Sequence, residues 1–165
     1  MIIRLAIPAD AQDMAEVGMR SWEVAYKDIL PADYIREKNA TRPAQFEKSI
    51  TWENETAYVI QLGGKTVGIM RLDRAADDDL TDDYYEVYYI YLHPDYFRQG
   101  IGAKAMDFAV EKARALGKKF IALWVLSENT NSVKFYEKCG FVHDGSCKIQ
   151  KRGRDVEIIR LVKML

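Results

Sequence analysis

Tyr84-Tyr-Glu-Val-Tyr-Tyr-Ile-Tyr-Leu92, followed by His93-Pro-Asp-Tyr-Phe-Arg-Gln-Gly-Ile-Gly102, is the stretch on which the fold turns. Aromatic and β-branched residues fill its first half and read as a strand. A helix is predicted from about Gly102 to Leu116, with Ala105, Phe108, Ala109, Ala113 and Leu116 on one face and Gly117 as its stop. Phe120–Val125 then reads as a compact apolar strand. Strand, helix and strand at this spacing predict a parallel pair joined by a right-handed crossover. Ligands of open sheets favour the carboxyl ends of parallel strands, which places a site at the junction. There the glycines let the backbone turn, and the helix behind them offers unpaired N–H groups and the positive end of a dipole. Arg98 and Lys104 add charge beside the same spot, so the loop suits a diphosphate-bearing cofactor.

Working outward, Ile2–Ala6 reads as a short strand and Asp10 as the N-cap of a helix carrying Met14, Ala15 and Gly18 and running to Tyr26. Pro31 ends that element, and two further helices are expected over Ala32–Glu37 and Pro43–Ser49. Ala57–Leu62, Gly63-Gly64 and Thr66–Leu72 form a hairpin pattern. Residues 74–83, with five aspartates and neither glycine nor proline, read as a solvated loop. Beyond the crossover lie a short helix, Asn131–Cys139, and a closing hairpin, Phe141–Ile149 with Val156–Met164. The expected fold is a mixed α/β, mostly antiparallel sheet with one parallel crossover at the glycine loop.

A chain of 165 residues with 48% hydrophobic content is expected to form one domain over 1–165. A formal net charge of −1 gives no footing for a non-specific grip on nucleic acid or anionic lipid. With no run of 18 apolar residues and no charged-then-apolar leader, neither membrane insertion nor export is expected, and a cytoplasmic location is. Two cysteines, Cys139 and Cys147, and two histidines, His93 and His143, assemble no zinc-ligand spacing, so no metal is expected. Cys139 with His143 is a nucleophile pair on general reactivity rules, but a small buried hydrophobe at a helix end is the plainer reading.

Two blocks stand in order. Tyr91-Leu92-His93-Pro94 leads through Gln99-Gly100-Ile101-Gly102-Ala103, and Glu128-Asn129-Thr130-Asn131-Ser132-Val133-Lys134-Phe135-Tyr136 continues to Gly140-Phe141. Together they resemble the GCN5-related N-acetyltransferase superfamily. The resemblance implies that Arg98, Gln99, Gly100, Ile101, Gly102, Ala103 and Lys104 form the acetyl-coenzyme A loop. It implies further that the strands flanking the crossover splay, with pantetheine lying in the wedge on the backbones of Tyr91 and Leu92. The Leu92 amide would polarise the thioester carbonyl, and Tyr136 would protonate the departing thiolate. Ser132 and Phe135 are expected to line the cofactor side of the second helix, Asn129 either to contact the cofactor or to cap that helix, and Lys138 either to reach the ribose phosphate or to remain solvated. One departure stands out: the family usually has Arg or Gln three residues before the first glycine, where this chain has Phe97.

An attacking amine must lose a proton, and Glu86 is the candidate base, working through water; the alternative is a strand glutamate facing solvent. Strict alternation puts Glu86, Tyr88, Ile90 and Leu92 on one face and Tyr85, Val87, Tyr89 and Tyr91 on the other. Trp22 and Tyr26 either wall the acceptor cleft or fill the core, and the aspartates at 73, 77, 78, 79, 82 and 83 either attract a cationic acceptor or are simply solvated. Gly100-Ile101-Gly102-Ala103-Lys104-Ala105 also fits a dinucleotide fingerprint, but it opens too far after the strand and lacks further βαβ units. The expected activity is transfer of acetyl from acetyl-coenzyme A to a primary amine: a small cationic amine, a peptide N-terminus or a lysine side chain. A non-catalytic acyl-coenzyme A sensor on the same fold is the rival, and a homodimer through the C-terminal hairpin stays open.

Overall fold

The computed structural model describes residues 1–50 and 56–165. In chain order it contains β1 (Ile2–Leu5), α1 (Ala11–Ala25), α2 (Ala32–Ile50), β2 (Ala57–Leu62), β3 (Lys65–Arg74), β4 (Tyr84–Leu92), α3 (Ile101–Ala115), β5 (Phe120–Leu126), α4 (Thr130–Lys138), β6 (Val142–Lys151) and β7 (Asp155–Met164). The strands form a seven-stranded sheet ordered β1-β2-β3-β4-β5-β7-β6, and among the described residues β4–β5 is its parallel pair. The expected mixed α/β sheet with its crossover at the glycine loop is therefore present.

Local chemistry explains most boundaries. Gly63 and Gly64, at φ of 57° and 81°, make the two-residue turn between β2 and β3, where both positions need a conformation that L side chains disfavour. Gly117, at φ 70°, stops α3. The helices cover both faces of the sheet. Met106, Ala109 and Ala113 of α3 pack with Met70, Leu72, Val87, Ile121, Leu123 and Phe141 on one side. Met14 and Val17 of α1 and Phe46 of α2 pack with Val59 and Ile69 on the other. Each buried Met, Val, Leu, Ile or Phe among these contributes about 1.5–3 kcal/mol relative to exposure, which fixes the helices on the sheet.

Four local expectations are corrected. Ala32–Ile50 is one helix and not two, with Pro43 inside it. The proline removes a hydrogen bond to Asn39, but Ile35, Arg42 and Phe46, buried on either side of it, hold the helix against its neighbours. Asp10 does not cap α1 through its side chain; its carboxylate grips Arg4 with two 2.7 Å hydrogen bonds and accepts from the Ile7 N–H at 2.8 Å. The acidic segment before β4 is not a free solvated loop, because Asp77 and Asp79 pair with Arg160 and Asp83 with Lys119. Lastly, β4 does not alternate along its whole length: Arg71 pairs with Tyr89 and Leu72 with Val87, leaving Tyr88 as an extra residue. Beyond this bulge the faces exchange, so Tyr85, Val87, Ile90 and Leu92 lie toward α3, while Glu86 shares the opposite face with Tyr89 and Tyr91.

The bulge also prepares the site. The β4–β5 ladder runs from Tyr84↔Phe120 to Val87↔Leu123 and stops, although both strands continue. β5 stays paired with β7 over Phe120–Leu126, so it follows β7 away from β4 and leaves a wedge. Among the described residues no helix is long and apolar enough to cross a membrane.

Candidate active site

The His93 N–H donates to the Val67 carbonyl at 2.8 Å, toward β3. In an antiparallel ladder every second residue spends its backbone groups on one neighbour, so Tyr91, opposite Ile69, also turns its N–H and C=O to β3. Ile90 and Leu92 then present theirs to the wedge. This corrects the expectation for Tyr91, whose backbone is committed, and adds Ile90, which sequence reading missed because the Tyr88 bulge sets the parity.

At the end of the wedge the chain makes a short helical turn, Pro94–Tyr96, steadied by Gln99 Nε2 donating to the Asp95 carbonyl at 2.9 Å. Phe97, at the position where the family has Arg or Gln, is partly exposed and donates its N–H to the Pro94 carbonyl. Arg98 at φ 58° and Gly100 at φ 76° turn the backbone into α3, whose N-terminal donors have no side-chain cap. Arg98, Lys104 and Lys138 are exposed and make no ion pair among the described residues, and Ala103 is exposed in the first turn. An open helix N-terminus with two flanking cations fits a diphosphate. The two glycines serve different ends: Gly100 supplies the left-handed turn, whereas a Cβ on Gly102 would lie 3.1 Å from Phe135 Cζ. Gly102 therefore lets α3 and α4 approach, with Ile101 buried beside it.

Asn129 is buried and its Oδ1 accepts the Ser132 N–H at 3.2 Å, so the Asn-x-x-Ser spacing is that of a helix cap. The cap fixes the start of α4 and with it the ring of Tyr136, which sits 5.1 Å from Phe135 and 6.1 Å from Phe141 between centroids. Burial pushes the Tyr136 phenol well above its ordinary pKa, and Tyr91 adds to the rise, so the phenol stays protonated across the neutral range. Burial likewise pushes up the Cys139 thiol, and His143 Nε2 contacts the Ser146 carbonyl at 3.1 Å; neither is set up as a nucleophile pair.

Glu86 is 6% exposed and accepts the Ala76 N–H at 3.3 Å. Burial raises its pKa above the usual carboxylate value; the Ala76 hydrogen bond opposes the rise, Asp77 adds to it, and Lys148 and Arg160 oppose it. It lies opposite Leu92 across the sheet, not on its face. The aspartates beside it are structural. Asp77 accepts from Trp124 Nε1 at 2.8 Å and pairs with Lys148 and Arg160, while Asp79 and Asp144 complete the ring around Arg160. Asp73 pairs with Arg71 and Asp83 with Lys119. Few of these charges are left to attract a cation. A cavity of about 500 Å³ opens in this segment, lined among the described residues by ones such as Asp73, Ala76, Asp77, Asp82, Tyr84 and Tyr88 and by none from α1, α2 or α4.

On that same face, Trp22 is 7% exposed and meets Tyr26 and Tyr91 edge-on at 5.0 and 6.5 Å. Arg42 of α2 lies over the Trp22 ring, Cζ 4.1 Å from its centroid, and its Nε donates to Asn39 Oδ1 at 2.9 Å. Tyr91 also stacks on Tyr89, ring centroids 5.2 Å apart. Arg42 was missed from sequence, although Ile35, Asn39, Arg42 and Phe46 fall at helical spacing and put two polar residues into a buried stripe.

A family model described as acetyltransferase (GNAT) family matches residues 20–141. An uncharacterized N-acetyltransferase of Methanocaldococcus jannaschii is 31% identical over 140 residues, covering 84% of this chain and 59% of that protein. One of Bacillus subtilis is 28% identical over 144 residues, covering 82% of this chain and 76% of the relative. This chain thus spans less than two thirds of the archaeal relative's length. In fold it is similar to the crystal structure of PaiA N-acetyltransferase from Thermoplasma acidophilum in complex with coenzyme A, at TM-score 0.79 and 21% identity over 99% of this chain and 98% of that one. A wedge opened by a β4 bulge, an uncapped helix behind a glycine loop and a family match spanning both agree: the chain belongs to the GNAT family of acetyltransferases.

Proposed function

We propose that residues 1–165 form one N-acetyltransferase domain that transfers the acetyl group of acetyl-coenzyme A to a primary amine by direct attack in a ternary complex. The observation that carries this reading is the parting of β4 from β5 beyond Val87 beside the uncapped N-terminus of α3, where Gly102 lies against Phe135 of α4 and Leu92 of β4, within the span of the family match. Acetyl-coenzyme A, when bound, supplies an acyl group on a good thiol leaving group. The N–H groups of the first turn of α3, from Ile101 onward, hold the diphosphate, with Arg98 and Lys104 neutralising charge from solvent. Ile90 and Leu92 pair with the pantetheine amides as a strand would, and the Leu92 N–H donates to the thioester oxygen where negative charge develops. Ser132 and Phe135 shape the wall of α4, and Lys138 offers a surface cation for the ribose phosphate.

Tyr136, kept protonated by burial, donates its proton to the departing sulfur. Glu86 takes the proton of the amine through water, because a carboxylate of raised pKa is a stronger base than a solvated one. Its place on the face of Tyr89 and Tyr91 sets it on the side of Trp22 and Tyr26, so cofactor and acceptor enter from opposite sides of the bulged strand. The acceptor is a small molecule or a peptide amine, and the expected location is cytoplasmic.

The test is thiol release. Mixing the protein with acetyl-coenzyme A and a pooled amine library should liberate free thiol in step with acetylated amine. Tight acetyl-coenzyme A binding without thiol from any amine would leave a non-catalytic acyl-coenzyme A sensor instead.

A further inference from the structure

Two arginines are buried on the acceptor face, and they are treated in opposite ways. Arg160, 4% exposed, is met by Asp77, Asp79 and Asp144. Arg42, 6% exposed, has no carboxylate partner among the described residues; its Nε goes to Asn39 and its guanidinium lies over Trp22 and, at 5.8 Å, Tyr91. A guanidinium does not give up its proton in a protein, so this is a full charge largely buried against ring faces and one neutral amide, with its Nη atoms not fully buried. Cation–π contact compensates part of that burial and leaves the fork of Nη donors without an anion. Beneath it the Trp22 Nε1 donor is buried and has no acceptor among the described residues. Unmatched donors thus gather in one stack. Arg152, tied to Gln150, adds a second cation near Tyr26.

The stack adjoins the strand proposed to hold the thioester. The Arg42 guanidinium lies 5.8 Å from the Tyr91 ring, Trp22 meets that ring edge-on at 6.5 Å, and Tyr91 directly precedes Leu92 in β4. An anion on Arg42 is therefore placed to belong to the acceptor.

We infer that the acceptor is an amine that also carries a carboxylate, whose two oxygens pair with the Arg42 guanidinium while its amino group faces the thioester. The inference rests on the acetyltransferase reading and narrows its substrate class, away from polyamines and simple cationic amines. Arg42 is here a specificity-determining residue; its planar fork matches a carboxylate in a way that a lysine would not.

The experiment uses the whole protein with saturating acetyl-coenzyme A and matched pairs of amines: L-leucine with 3-methylbutylamine, L-methionine with 3-(methylthio)propylamine, and L-phenylalanine with phenethylamine. At least one amino acid should exceed its decarboxylated partner by about 10- to 100-fold in kcat/KM, the range of one charge-assisted pair. In Arg42→Gln that ratio should collapse toward one, through KM for the acceptor, while the Kd for acetyl-coenzyme A holds; Arg42→Lys should recover part of it. A preference of the wild type for the decarboxylated amines, or for peptides and lysine side chains without a nearby carboxylate, overturns the inference and leaves the acetyltransferase reading standing. So does an unchanged ratio in folded Arg42→Gln. Should that variant not fold, the wild-type ratios alone decide. Bound acetyl-coenzyme A with no thiol from any amine overturns both.

Discussion

Arg160→Met separates a structural acidic loop from one that attracts a substrate. The Arg160 guanidinium spends its donors on Asp144 at 2.7 Å, Asp79 at 2.6 and 2.9 Å, Asp77 at 3.2 Å and Ser146 Oγ at 2.8 Å. Asp79 is exposed and screened, so the weight falls on Asp77 and Asp144. Methionine fills similar volume but leaves those carboxylates crowded without their cation; losing one member of a buried ion cluster costs about 3 kcal/mol or more. For a chain of this size that lowers Tm by roughly 6–12 °C at neutral pH. The pH dependence carries a sign of its own. Burial alone would raise the pKa of Asp77 and Asp144, but hydrogen bonds outweigh it, from Lys148, Trp124 and Arg160 on Asp77 and from the Ser146 N–H and Arg160 on Asp144. Both carboxyls therefore titrate below 3.8, and their stabilisation is present above that value and lost as pH falls through the lower, folded ones. Wild type should lose more stability on acidification than Arg160→Met, so the gap between their melting curves narrows toward low pH. Thermal melts and urea titrations at several pH values read this directly. A Tm change under about 2 °C at neutral pH, or a gap that stays constant on acidification, would refute the idea that the loop is held by Arg160.

Tyr136→Phe should lower kcat by roughly 100-fold, within the range for a lost general acid, with the Kd for acetyl-coenzyme A nearly unchanged; equal turnover removes the proton-donor role. Glu86→Gln should abolish the acid-side limb of the kcat/KM–pH profile. The same variant should melt higher at neutral pH. The raised pKa of Glu86 means that its stabilisation exists below the usual 4.5 and is lost as pH rises through the folded value, so the gain should vanish on acidification. Gly68→Ala would place a Cβ 2.4 Å from Leu92 Cδ2 and 3.1 Å from the Tyr91 carbonyl. It should destabilise by about 1–3 kcal/mol and raise the Kd for acetyl-coenzyme A by displacing the Leu92 amide, read by chemical denaturation and calorimetry.

The crossover was legible because each of its parts is written in adjacent residues. The β-branched and aromatic run of β4, the helical period of α3, and glycines where φ turns positive at 63, 64, 100 and 117 need no distant partner to declare themselves. The pairing of a glycine loop with an Asn-x-x-Ser helix likewise survives as a local pattern. Its physical meaning shifted, since Asn129 proved to be a cap and Gly102 a contact point for Phe135.

The rest depended on partners far along the chain. Asp77 reads as one more solvated acid until β7 brings Arg160 to it, 83 residues away. Pro43 reads as a helix start until burial on both sides carries the helix through it. Strict alternation misplaced Ile90 and Leu92 relative to Glu86, because a bulge of one residue is set by the register against β3 and nothing in Tyr88 announces it. Trp22 reads as core or as cleft wall until Arg42 is laid over its ring and that of Tyr91. The sequence by itself thus determined the element types, the crossover and the family. Which side chains face one another across the wedge was decided by tertiary structure alone, since register, a bulge and an uncompensated charge are relations between segments, not properties of any one of them.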